Sequence, residues 1–239
     1  MRQNDFIVIR HSYDDHSYID GKNNTFLTPK GVEIAKKASE RILSQIDSNK
    51  VIIRHSSKIR ARQTAEILRE TFSKHNIDCQ CKQDDGLTEL FQGSFNFEGM
   101  NHIEKVEFLQ SCWDDFEDCR KKGDLNHHFG QNKSRKIVLN PGESHSEWSV
   151  RISRGVLNII NDLNQSFQSI NVTHRGAIFE IQRIVEMVNG QIDFDQVEQY
   201  KTMWMEYCQD YLLHIDDLDS AKTLVRKYVY NRSKNEDNH

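Results

Sequence analysis

The sequence predicts an α/β fold in which a mostly parallel sheet carries helices on both faces. Three observations predict it. Short apolar runs rich in β-branched residues recur at Phe6–Ile9, Val51–Arg54 and Ile170–Thr173, the pattern of buried strands. Segments of helical period separate these runs, and such alternation gives a parallel sheet. Two of the runs end in a histidine: Ile7-Val8-Ile9-Arg10-His11-Ser12, and Ile170-Asn171-Val172-Thr173-His174-Arg175-Gly176, 163 residues later (170 − 7). A polar residue just past a strand end faces the crevice where open α/β sheets bind ligands. Two imidazoles so delivered, beside Arg10 and Arg175, suit an anion, above all a phosphate.

The elements follow in order. Phe6–Ile9 is the first strand. Thr28 and Pro29 open a helix to about Ile46, Thr28 as N-cap and Pro29 in the first turn. Val51–Arg54 is the second strand, and Ser57–Lys74 a long helix with Ala61, Ala65, Leu68 and Phe72 on one stripe. Ile77–Lys82 is a third strand, on which Cys79 and Cys81 share a face. Residues 94–140 break the rhythm: Val106, Leu109, Trp113 and Phe116 keep helical spacing, then a polar stretch runs from Lys121 to Lys136. This region is expected to be an inserted helical cap of one or two helices over the site. Ser146–Asn161 is a helix, Ile170–Thr173 the strand that delivers His174, and Ala177–Val188 a helix stopped by Asn189-Gly190. Tyr211–Ile215 and Thr223–Tyr230 are expected to be two terminal strands, with a frayed tail after them. With 2 prolines in the chain and no Pro/Gly/Ser-rich linker, a single domain over 1–239 is expected.

The bulk numbers narrow the function classes. At 239 residues the chain can bury a sizeable core. An apolar fraction of 36% and a mean hydropathy of −0.74 imply a very polar surface. A net charge of −4 argues against general nucleic-acid or membrane binding, which favours basic chains, so arginines that bind an anion must be concentrated locally. No apolar stretch approaches the roughly 18 residues of a membrane helix. The N-terminus runs straight into a strand, without room for a signal peptide, and a cytoplasmic location is expected. The 5 cysteines include no Cys-x-x-Cys pair and read as free thiols of a reducing compartment.

Further segments join the two histidines. Leu27-Thr28-Pro29-Lys30-Gly31, Ser56-Ser57-Lys58-Ile59-Arg60-Ala61-Arg62-Gln63-Thr64-Ala65, Leu87-Thr88-Glu89 with Gly93, and Gly142-Glu143-Ser144 stand between Arg10-His11 and His174-Arg175-Gly176. Together, in this order and over about residues 6–185, they resemble the histidine phosphatase superfamily with the phosphoglycerate mutase-like fold. The resemblance implies a three-layer α/β/α sandwich with one antiparallel strand in its sheet. It implies that His11 is the nucleophile and becomes a phosphohistidine. It implies that Arg10, Arg60 and His174 bind the transferring phosphoryl group and that Glu89, held protonated, is the general acid.

The chemistry is sound for these residue types. Neutral imidazole is a fair nucleophile near pH 7, and a covalent intermediate splits one hard step into two. Guanidinium forks and an imidazole N–H can meet the equatorial oxygens. Because arginines supply the counter-charge, neither a metal nor a cofactor is required. Adjacent His127 and His128 cannot easily both face one metal, and the spacing of His11 and His16 crosses from strand to loop. Glu143 and Ser144 are open between capping the following helix and reaching the substrate. Lys201–Tyr207, with its Met and Trp residues, reads as core packing.

The chain departs from the family at several points. Ser12 stands where the family has glycine; its N–H can still serve a phosphate. Arg175 stands where a small residue is usual, and either pairs with a second anionic group or faces outward. The loop 13–26 lacks the Trp-Asn pair of the cofactor-dependent mutases. The expected function is a phosphomonoesterase acting on a small phosphorylated molecule. The alternatives are a phosphomutase and a catalytically inactive module that binds a phosphorylated ligand. The oligomeric state is open, a homodimer included.

Overall fold

The computed structural model describes residues 4–14, 25–192 and 208–236, with side chains to Ser233. Lys201–Tyr207 and His16 lie outside the described residues, as does most of the loop 13–26. The elements are β1 (Asp5–Arg10), α1 (Pro29–Leu43), β2 (Lys50–His55), α2 (Ile59–Lys74), β3 (Asp78–Gln83), a 3-10 turn (Asp85–Leu87), β4 (Gly93–Phe95), α3 (His102–Lys121), β5 (Val138–Pro141), α4 (His145–Asn164), β6 (Gln168–Thr173), α5 (Arg175–Val188), β7 (Asp210–His214) and α6 (Leu218–Glu236). Five strands form one sheet in the order β3-β2-β6-β1-β7. The first four run parallel and β7 antiparallel beside β1.

Strand alternation builds the two flanking layers. Ile7 and Ile9 of β1 face α1 and α2 with Val51, Ile53, Ile170 and Val172. Phe6 and Val8 face α4, α5 and α6. Burial of one such side chain is worth roughly 1.5–3 kcal/mol, which fixes the register, since a one-residue slip would turn every side chain over. The polar Ser169 and Asn171 of the central strand β6 are also buried, and they are satisfied: Asn171 Nδ2 donates to Ile7 O at 3.1 Å and lies 3.2 Å from Ser169 Oγ.

Local signals set the helix starts. Thr28 Oγ1 accepts from Gly31 N at 3.0 Å and Pro29 occupies the first turn of α1. Ser144 caps α4 in a reciprocal box with Glu147, and Asn101 caps α3 likewise with Glu104. Gly190 follows α5 at φ +69°, the left-handed conformation that ends a helix cheaply.

Around 94–140 the described structure holds one helix, α3, and the small antiparallel sheet of β4 and β5 that flanks it. This region has its own aromatic core, in which Cys112, Phe116 and Phe129 are buried with Leu90 and packed by Phe95, Phe108, Trp113 and Trp148. The expectation of two terminal strands is half wrong. The expected strand Tyr211–Ile215 is β7, at Asp210–His214, but residues 218–236 are helical. The Val and Tyr residues there have strand propensity. The helical stripe of Ala221, Val225 and Tyr228, all buried against the α4–α5 side, overrides it.

Candidate active site

The site lies past the carboxyl ends of three adjacent strands, β2, β6 and β1. His11 follows β1, His174 follows β6, and Ser56 to Arg60 follow β2 into α2. Backbone bonds lock the three ends together: His11 N donates to Thr173 O at 2.8 Å and Ser56 N to Val172 O at 3.1 Å. The two imidazoles, 5% and 2% exposed, face each other with ring centroids 4.9 Å apart and planes tilted by 59°.

His11 is held in one tautomer. Its Nδ1 lies 2.7 Å from Ser12 O, a carbonyl that can only accept, so the proton sits on Nδ1. Arg60 Nε donates to His11 Nε2 at 3.0 Å, which requires a lone pair there. Arg60 also reaches His174, Nη2 to Nδ1 at 3.4 Å, and its Nε lies 3.6 Å from the buried Asp14 carboxylate. That carboxylate accepts from Thr25 Oγ1 at 2.5 Å. His174 Nε2 is 2.7 Å from Ser56 Oγ. Burial first, then the neighbouring His11 imidazole and the positive charges of Arg60, Lys58 and Arg10, push the His174 pKa well below its ordinary value. His174 is therefore neutral near pH 7 and offers one N–H.

Glu89 is brought to the same end by the segment after the 3-10 turn. Its Oε2 accepts from Gly176 N at 3.0 Å and its Oε1 from Leu90 N at 3.1 Å. A Cβ on Gly176 would stand 2.5 Å from Glu89 Oε1, so the glycine after His174-Arg175 permits the approach of the carboxyl group. Thr173 Oγ1 donates to Leu87 O, tying this segment to β6.

Arg151 of α4, which the sequence reading missed, fixes the backbone that carries Glu89. Its Nη1 donates to Asp85 O (2.9 Å) and Thr88 O (2.8 Å), and its Nη2 to Glu89 O (3.1 Å). Glu143 holds the guanidinium in a two-point pair, 2.8 Å to Nε and 2.7 Å to Nη2, and accepts from Phe91 N at 2.9 Å. The question left open for Glu143 and Ser144 therefore divides: Ser144 caps α4, and Glu143 braces the Glu89 segment through Arg151. No sequence spacing reports these contacts, which close loops of 62 to 66 residues.

The structure also adds Lys58, the N-cap of α2, whose own N–H lies 3.3 Å from Ser56 Oγ. Its half-buried ammonium bears on His174 and is destabilised first by burial and then by Arg60 and Arg151, which lowers its pKa. The sequence signal was a cation inside the Ser56–Ala65 motif, two residues before Arg60.

The other candidates separate. Arg10 ends β1, half-buried beside His11. Ser12 is fully buried, its N–H donating to Thr64 Oγ1 at 3.0 Å and its hydroxyl to Gly31 O at 2.6 Å, so its polar groups join β1 to α1 and α2. Arg175 is exposed at the first turn of α5.

A family model, the histidine phosphatase superfamily (branch 1), matches residues 6–193. No curated protein matches the chain. Among solved structures, a mycobacterial glucosyl-3-phosphoglycerate phosphatase shares the fold at TM-score 0.61 and 18% identity, over 91% of this chain and 94% of that one. YhfR of Bacillus stearothermophilus is similar at TM-score 0.58 and 19% identity, over 89% and 91%. A putative alpha-ribazole-5'-P phosphatase from Escherichia coli is similar at 0.54 and 16%, over 88% and 95%. With most of its length matched by the family model and its sheet, helices and site arranged as described, this chain belongs to the histidine phosphatase superfamily.

Proposed function

We propose that this protein hydrolyses phosphate monoesters of small molecules through a phosphohistidine on His11, without a metal. The observation that carries the proposal is the state of His11: Nδ1–H tied to Ser12 O, and a lone pair on Nε2 with Arg60 beside it. An arriving phosphoryl group takes the place between them. Nε2 then attacks phosphorus in line with the ester oxygen, and Arg60, Arg10 and the N–H of His174 meet the equatorial oxygens. Once the phosphoryl group stands between Arg60 and His174, a hydroxyl donated from Ser56 to His174 Nε2 leaves the imidazole proton on Nδ1 for an equatorial oxygen, at the nitrogen that otherwise accepts from Arg60. Donors placed on developing charge are each worth about 3–4 kcal/mol.

As the P–O bond breaks, Glu89 gives its proton to the leaving oxygen and the alcohol departs. A water then attacks the phosphohistidine while Glu89 takes a proton from it, which releases phosphate and restores His11. The segment 94–140, with its own core, covers the leaving-group side in this account as a cap. Lys58 favours a substrate with negative charge beyond the phosphoryl group. The phosphatases of like fold are named for phosphate esters of small molecules, which agrees with this reading.

The test is phosphate release from a panel of phosphorylated metabolites by wild type and by His11→Ala. Release by wild type alone is expected. Transfer of the phosphate to a second hydroxyl would make the protein a mutase, and binding without turnover would make it a recognition module.

A further inference from the structure

The last turns of α3 and the chain returning from them bring together three side chains that have no part in the site described above. Asp115 and Cys119 stand one helical turn apart and so share a face of α3. His127 comes back to that face with its side chain 5% exposed, and its Nε2 lies 3.1 Å from Asp115 Oδ2. One donor atom from each of Asp115, Cys119 and His127 lies within 4.8 Å of the other two.

The intervening backbone is fixed. Gly123 turns at φ +83°. Asp124 N donates to Cys119 O at 3.0 Å, and Ser146 N to Leu125 O at 3.0 Å, which anchors the return to α4. His128, by contrast, turns to Gly142 O at 2.8 Å. So one histidine of the adjacent pair enters the cluster, and α3 supplies the partners.

Tetrahedral zinc, with bonds of about 2.0–2.3 Å, holds its donors roughly 3.3–3.6 Å apart. The imidazole–carboxylate pair is already near that separation at 3.1 Å, and the thiol lies within 4.8 Å of both. The charge is right for a dication, since Asp115, Asp118 and Asp124 all bear on the thiol while Lys122 is engaged by Asp118. A thiolate, an imidazole and a carboxylate together select zinc or cobalt over magnesium or calcium. A hydrogen bond between His127 and Asp115 accounts for two of the three groups and not for the thiol at the same point.

We propose that Asp115, Cys119 and His127 bind a divalent metal of the zinc class, with water as fourth ligand, and that this metal clamps α3 to the chain returning over residues 122–129. On binding, the Cys119 thiol loses its proton to solvent and its sulfur bonds the metal, while His127 Nε2 and an Asp115 oxygen turn from each other to the ion.

Metal-free full-length protein titrated with cobalt(II) tests this. One equivalent is expected to give the visible bands of four-coordinate cobalt and a near-ultraviolet thiolate charge-transfer band, both removed by added zinc. Zinc is expected to raise the Tm. Cys119→Ser, at a part-exposed position that tolerates the change, should lose the charge-transfer band and bind about tenfold or more weakly. His11→Ala should keep both signals, placing the metal outside the catalytic cleft. A saturated wild type without the charge-transfer band, or a Cys119→Ser protein that retains it, overturns the proposal. So does loss of binding in His11→Ala.

Discussion

Gly176→Ala separates stability from chemistry. The glycine lies in the first turn of α5, where Ala is the better helix former by about 1 kcal/mol. The new methyl, however, would stand 2.5 Å from Glu89 Oε1 and 3.2 Å from the carboxyl carbon. Ordinary contact begins near 3.4 Å, so the carboxyl must retreat by about 0.9 Å (3.4 − 2.5). It cannot do so by moving its backbone, which Arg151 holds at three carbonyls. The side chain must rotate and give up the Gly176 N–H. A displacement of about 1 Å at a catalytic group costs on the order of 10²-fold, and loss of general acid work about 10²–10⁴-fold. The variant should therefore hydrolyse an alkyl phosphate about 10²-fold more slowly in kcat/KM. A nitrophenyl phosphate, whose leaving group needs no proton, should lose only a few-fold. The helix gain and the lost hydrogen bond nearly cancel, so Tm should stay within about 4 °C of wild type, the shift that 1 kcal/mol gives at this size. Equal losses on both substrates, or none on either, would refute the placing of Glu89 as the acid.

Three further outcomes are expected. Lys58→Met should raise KM about tenfold or more for a substrate with a second anionic group and leave an aryl monophosphate nearly unchanged, since a charged hydrogen bond is worth about 1.5–3 kcal/mol; Arg175→Ala should change neither, and steady-state kinetics on both substrates decides it. Burial and neighbouring arginines depress the His145 pKa to about 3, and His174 is depressed also. Both stay neutral in the fold while the unfolded chain takes up a proton below about 6.5, so stability is full above that pH and falls below it; for His145 the loss runs toward pH 3 at about 1.4 kcal/mol per unit. Urea melts of His145→Phe, which keeps the stack on Phe116, should show a slope shallower by one proton; an unchanged slope refutes the assignment. Vanadate should block turnover, and a chelator should lower the Tm through the α3 cluster while leaving turnover at ambient temperature intact; turnover lost in chelator and restored by a divalent ion would overturn the metal-free chemistry.

The sheet and the cleft were legible because their signals are local. The apolar runs of β1, β2 and β6 are contiguous, and the residues that follow them, His11, Ser56 to Arg60 and His174, are delivered by position alone. The cap on α1 could be read from Thr28 and Pro29 for the same reason. The C-terminal helix was misread because β-branched and aromatic residues at 223–230 mask a stripe that only packing against α4 and α5 makes decisive. Arg151 was invisible because its worth lies in three carbonyls far away in sequence. The burial of Ser12 and its bonds to Thr64 and Gly31 depend on how α1 and α2 close over β1, which no neighbour in sequence reports. His127 was judged with His128, its neighbour in sequence, when its partners in space lie 8 and 12 residues back, at Cys119 and Asp115.

The central claim is that His11 Nε2 carries the phosphoryl group. Rapid acid-free quench of wild type during turnover of a labelled phosphate ester, followed by peptide mapping, tests it most directly. The account predicts label on the peptide containing His11, labile to acid and stable to base, and absent from His11→Ala protein of native fold. Phosphate release by a wild type that never becomes labelled, or label and turnover that survive in His11→Ala, would contradict it.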